Sequence, residues 1–224
     1  MRERAVTHFG LTQPNSPAIG RVGVTEWRTI GLALTIYASW LALTLWHAAL
    51  PAWEVFPALI WLVACHGSLQ HEVQHGHPTR AQAVNDAFGF TPLALWRPYP
   101  LNAPERRDGT PEPWDALGEV GKVLASVQST LLGRVLIGPG WTICRFLCWQ
   151  IGLVWRDEEG ARAAWGAHLL GVAAVLVWLV GVCGFNPWLY VAGVVYPATS
   201  LRLVRAFAEP RPVLGAAPTW PIRS

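Results

Sequence analysis

Four apolar runs divide a chain whose charges are gathered between and beyond them. Thr29 to Leu50 holds no Asp, Glu, Lys or Arg, and Trp27, Trp46 and Trp53 lie near its ends. Val55 to Gln70 is a second uncharged run, entered through the short turn Pro51-Ala52-Trp53-Glu54. Ala163 to Phe185 is a third, carrying one histidine, and Asn186-Pro187 turns the chain into a fourth, Trp188 to Leu201, which stops at Arg202. Roughly 20 apolar residues in a helix cross the hydrocarbon core of a bilayer. The pattern therefore predicts an all-α integral membrane protein. Its four transmembrane helices, near residues 29–50, 55–70, 163–185 and 188–201, pair as two hairpins, with interfacial helices and a reduced cytoplasmic cap. Residues 1–28 read as a cytoplasmic tail, 29–209 as the membrane domain and 210–224 as an irregular Pro-rich tail.

Composition agrees. Hydrophobic residues make up 52% of the chain and charged ones only 14%, with a mean hydropathy of +0.30. A soluble domain carries about a quarter charged residues, so a water-soluble enzyme is excluded. A net charge of +3 is too mild for a nucleic-acid partner. The 14 tryptophans suit bilayer interfaces. Four of the seventeen basic residues fall in 1–28, nine in 71–162 and four in 202–224, while the turns 50–54 and 184–188 have none. The positive-inside rule then places both termini in the cytoplasm.

Leu131 to Trp155 is mostly apolar but contains Arg134, Arg145 and a Gly138-Pro139-Gly140 break. A crossing here would invert the last two helices, so the segment is expected along the cytoplasmic interface with its arginines reaching the headgroups. Ala83 to Trp96, broken by Gly89 and Pro92, is expected on the same surface. Cys65, Cys144, Cys148 and Cys183 include no C-x-x-C pair and read as buried reduced thiols.

Four of the seven histidines, His66, His71, His75 and His77, fall within twelve residues just after the second run. On a helix His71 and His75 share one face and can chelate one metal ion. Imidazole suits iron, zinc and copper alike. Gly76 and Pro78 end that helix and leave His77 on a segment that can fold back. His71-Glu72-Val73-Gln74-His75 also fits H-E-x-x-H, in which the glutamate of a zinc peptidase activates water. That site needs a third ligand, and in the later membrane runs only His168 is available. His47 and His168 are expected to be satisfied neutral histidines, and His8 has no role.

Ser68-Leu69-Gln70-His71-Glu72-Val73-Gln74-His75-Gly76-His77-Pro78-Thr79 resembles the first histidine box of bacterial membrane fatty acid desaturases. Leu136-Ile137-Gly138-Pro139-Gly140-Trp141 and the stretch from Tyr196-Pro197 through Arg205-Ala206-Phe207-Ala208-Glu209 are similar to other parts of that family. The resemblance implies two transmembrane hairpins in the bacterial inner membrane under a cytoplasmic cap holding two irons. Such enzymes use O2 and two electrons to put a double bond into an acyl chain. It further implies an acyl-lipid or acyl-thioester substrate and a ferredoxin-like electron donor. By the family pattern His71 and His75 are iron ligands, with His77 and His66 as weaker candidates.

Two family features are missing. The loop from Trp96 to Gly109 lacks the second box, H-x-x-H-H, and no third box follows Glu209. Two irons need about eight protein nitrogens or equivalents, more than the seven histidines of the whole chain. The expectation is a desaturase-like protein impaired or inactive as written, with a non-catalytic membrane relic or partner subunit and the zinc peptidase as alternatives. Both abnormal stretches are rich in Pro, Arg, Ala and Gly, as an out-of-frame reading of a GC-rich gene is.

Overall fold

The computed structural model describes residues 25–74, 76–99, 118–156 and 160–208, and all regular elements among them are helical. Helix α1 spans Trp27–Leu45 and α2 Ala52–Gln74. Helix α7, Ala161–Leu176, continues through wider π-helical turns over Val177–Val182. These three helices are long and apolar enough to cross a membrane. They are apolar nearly all round: Leu32, Leu34, Leu169, Leu170 and Val177 point outward and are more than half exposed. A helix of that kind belongs in a core or in lipid.

Local chemistry sets the ends. The Pro51 carbonyl accepts from the N–H groups of Glu54 and Val55, which starts α2. Gly76, at φ +86°, stops the chain just beyond α2. The apolar run ends at Gln70, and the helix continues to Gln74 and carries His71 with it, as the stop at Gly76 and Pro78 predicted. Asn186 caps the last helical run, its Oδ1 accepting from the N–H of Trp188 and Leu189, and Pro187 occupies the first turn. That run comprises α8 (Pro187–Tyr190), π-helical turns over Val191–Val195 and α9 (Tyr196–Ala208).

Helix α2 is the hub, packed against α1 and against the helical run after Asn186. Trp40, Leu59, Val63, Leu179, Phe185, Tyr190 and Val194 form the main core. Between α2 and the remaining helices lies a segment expected on the cytoplasmic surface. Helix α3, Gln82–Phe90, packs along the last turns of α2. A Cβ on Gly89 would lie 2.7 Å from Val73 Cγ2, so only glycine permits this approach. The chain then enters the bundle as irregular backbone. Leu93 is completely buried, and Pro92 lies against Gly171 of α7. The Tyr190 hydroxyl donates to the Leu93 carbonyl at 2.9 Å, and His168 Nε2 donates to that of Leu95 at 3.0 Å. Pro92 and Leu93 are therefore buried in the bundle, while Ala83, Val84 and Ala87 of α3 stay exposed. Irregular backbone is stable at such depth only where protein groups satisfy it, and Tyr190 and His168 supply those groups from distant helices.

The remaining elements are α4 (Glu119–Gln128), α5 (Leu131–Leu136) and α6 (Gly138–Arg156). Thr130 caps α5 by accepting from Gly133 N–H at 3.0 Å, and the Gly138-Pro139-Gly140 break separates α5 from the body of α6. Ser200 Oγ donates to the Val135 carbonyl at 2.8 Å, Tyr196 OH to that of Leu136, and Leu203 lies against Gly138, so α9 holds this corner. Helix α4 buries no residue. All four cysteines are free, but none is fully buried, contrary to expectation: Cys65 and Cys183 are half-buried, and Cys144 and Cys148 lie exposed on α6. The reason is that α6 buries only Gly138 and Pro139, at its start.

Candidate functional site

The buried stripe of α2 runs through Val55, Leu59, Val63, His66, Gln70 and Val73, at helical spacing. Its polar members mark the site. His66 is 1% exposed, and its Nε2 lies 3.0 Å from the Tyr37 hydroxyl of α1, with the two rings edge to face. Tyr37 also bonds the Phe88 carbonyl of α3. A carbonyl only accepts, so the Tyr37 proton points to Phe88 and the hydroxyl accepts from His66 Nε2–H. That geometry fixes the tautomer and leaves a bare, buried lone pair on His66 Nδ1, which has no hydrogen-bond partner among the described residues.

One turn and a half further on, α2 leaves the packed interior. His71 is exposed and lines a small open groove with Gly67, Gln70, Gln74, Arg97, Pro98 and Tyr99. Several of these side chains are held in place. Gln70 Nε2 donates to the Gly89 carbonyl at 2.8 Å. The Tyr99 hydroxyl donates to Asp86 Oδ1 at 2.9 Å, and the same oxygen accepts from Gln82 Nε2 at 2.8 Å. Burial, and then the neighbouring Asp86, push the Tyr99 phenol well above its ordinary range. From α9 the Arg202 guanidinium occupies the space that a side chain at Gly67 would fill, with Nη1 2.8 Å from a Cβ there. Arg205 Nη1 donates to Ser68 Oγ at 2.9 Å.

His77 folds back onto the start of α1. Its Nδ1 lies 2.9 Å from Glu26 Oε1, while Glu26 N–H donates to the Pro78 carbonyl and Thr29 Oγ1 to Glu26 Oε2. These contacts, the His77 bond above all, hold the Glu26 carboxyl below its ordinary range. His75 lies outside the described residues, and with it the pairing with His71. Also outside them are His8, residues 100–109 of the loop where a second box was sought, and the stretch from Glu209 onward.

Iron of the family type asks for a convergent set of histidines. Among the described residues no group of three or more His, Cys, Asp or Glu is placed to hold a metal ion. His66 is engaged with Tyr37 inside the bundle and His77 with Glu26 at its edge, so the described residues do not make up such a set. The same holds for the zinc-peptidase arrangement. Glu72 is exposed, and His168, its only third ligand, bonds the Leu95 carbonyl. His47 likewise bonds a backbone carbonyl, that of Thr44, at 2.8 Å.

Sequence reading missed Tyr37, Glu26, Arg97 and Arg202. Tyr37 is the one tyrosine in the first apolar run, and Arg202 and Arg205 share a helix face. Neither signal tells which residue lies opposite. Compared with protein-family models, curated proteins and solved structures, the chain matches none.

Proposed function

We propose that this chain is a membrane protein of the histidine-box fatty acid desaturase type whose oxygen chemistry is impaired or lost. The resemblance of Ser68 to Thr79 to the first box is what carries the reading. Its support is the position of His71, exposed in a polar groove at one end of a membrane-length helix. In this reading the helical run Pro187–Ala208 is a fourth crossing, antiparallel to α7, and α1 with α2 forms the other hairpin. Both termini and the groove then lie on the cytoplasmic side, the bacterial inner membrane is the host, and a ferredoxin-like donor would dock there. Exposed Trp46, Trp53 and Trp188 at one end and Trp27 at the other fit the two interfacial belts.

The alternative is a non-catalytic relic or partner subunit that keeps the scaffold. It is favoured by the bonds of His66 to Tyr37 and His77 to Glu26, which give both histidines structural work without metal. Iron content decides between them. A working desaturase carries about two irons per chain. The expected result for the purified protein is far less, with the remainder lost in His71→Ala. Two tightly held irons and acyl desaturation with a supplied reductant would overturn the impairment. Metal content near zero in both wild type and variant would leave the relic.

A further inference from the structure

Helix α6 has 19 residues, as many as α1, yet it is not among the three helices apolar enough to cross a membrane. It is tied to the bundle at both ends. At its start Gly138 lies against Leu203 of α9. At its finish Arg162, in the first turn of α7, donates through Nε to the Val154 carbonyl at 3.1 Å and through Nη2 to that of Trp155 at 3.2 Å. Trp165 Nε1 of α7 donates to Gln150 Oε1 at 3.0 Å, and between the two ends the rings of Phe146 and Trp96 meet edge to face. These contacts give α6 an inward side and set its last turn beside the first turn of a membrane-length helix.

The outward side is patterned. Cys144, Cys148, Ile151 and Trp155 are all exposed and recur at spacings of four, three and four, which is one stripe of an α-helix. Arg145 and Trp149, exposed as well, border that stripe on one side. An apolar stripe edged by arginine and tryptophan suits the boundary between headgroups and acyl chains, where the ring stays half wet and the guanidinium reaches outward. Symmetric pairing with a second copy through the stripe would bring two arginine edges to one seam. Neither helix holds a carboxylate to answer them, because Asp157, Glu158 and Glu159 come only after α6 has ended. Headgroup phosphates answer that charge. We infer that α6 lies in the plane of the bilayer surface, with Cys144, Cys148, Ile151 and Trp155 dipped into the acyl boundary and Arg145 at the headgroups. The expectation for residues 131–155 as a whole thereby becomes one face of one helix, with two thiols on it. Neither iron nor acyl chemistry is needed for this placement.

The test uses the full chain in vesicles of phosphatidylcholine and phosphatidylglycerol. Cys65→Ala and Cys183→Ala leave the two thiols of α6, which carry a nitroxide label one at a time. Ile151→Cys and Trp155→Cys extend the series along the stripe, and Arg145→Cys reports its edge. Collisions with O2 and with a water-soluble nickel chelate give the depth of each label. Labels at 144, 148, 151 and 155 should share one depth, roughly 5–10 Å into the boundary, with the label at 145 nearer to water. A depth that changes steadily from 144 to 155, by about 16 Å, would make α6 a crossing. Water-like collisions at all four positions would put the helix outside the bilayer. Shielding from both reagents, with spin coupling between chains, would make the face a contact between copies. Each of these three results overturns the placement. The unaltered chain gives a second reading that needs no variant to fold. A photoreactive group near the headgroup end of a lipid acyl chain should mark α6 from Cys144 to Trp155, and an unmarked helix would also overturn it.

Discussion

The interior around Tyr190 and the groove at His71 use similar polar side chains to opposite ends. At the interior level Trp40 Nε1 donates to the Tyr190 hydroxyl, which donates to Leu93. Nearby, Trp178 Nε1 donates to Thr44 Oγ1, which donates to the Trp40 carbonyl. These bonds stitch four parts of the chain together, and all their residues but the half-buried Trp178 are buried. At the groove, Gln70 and Tyr99 are tied down by single bonds at the edge of open space, and His71 faces it. The contrast separates a framework that fixes geometry from a rim that faces open space.

Breaking the framework should cost most. Leu93→Ala opens a cavity beneath a fully buried side chain. A loss of about 2–5 kcal/mol is expected, read as a lowered thermal midpoint in detergent. Gly89→Ala drives a methyl group into Val73 and Tyr99, and overpacking of this kind costs about 1–3 kcal/mol. Because it pushes α3 away from α2, it should also reduce protection of the Gly89 region in hydrogen exchange. Tyr190→Phe keeps the ring and removes both hydroxyl contacts. Hydrogen bonds between membrane helices average about 0.6 kcal/mol and reach about 1.7, so a loss near 1 kcal/mol is expected.

Changes at the groove should sharpen the comparison by leaving stability nearly untouched. His71→Ala is expected within about 0.5 kcal/mol of wild type, as for exposed positions generally, while removing whatever metal the chain retains. A large drop in thermal stability for His71→Ala would make that residue part of the framework. The smallest effect is expected for Glu26→Gln. It keeps an acceptor for His77 but removes the carboxylate charge, and should show only as a shifted His77 ring signal in NMR.

The same two regions differ in how far the sequence revealed them. The helix bearing His71 could be read directly, because an uncharged run followed by Gly76 and Pro78 is a local signal. What anchors its last turn could not, since His71, Glu72 and Gln74 are polar and the turn is held by Val73, buried against its neighbours. The segment 83–96 hides the burial of Gly89, Pro92 and Leu93 for a related reason. Its glycine and proline look like surface punctuation until Val73, Gly171, Tyr190 and His168 are set around it.

The sequence alone determined that the chain is apolar and helical, with runs long enough to cross a bilayer, because hydropathy and turn residues act over neighbouring positions. It also set the histidines close together near the end of α2. Only the tertiary structure decided what those histidines touch. Tyr37 lies 29 positions from His66 and Glu26 51 positions from His77, and Leu93 meets Tyr190 across 97. Contacts that far apart come from helices packing side by side, which no local pattern encodes.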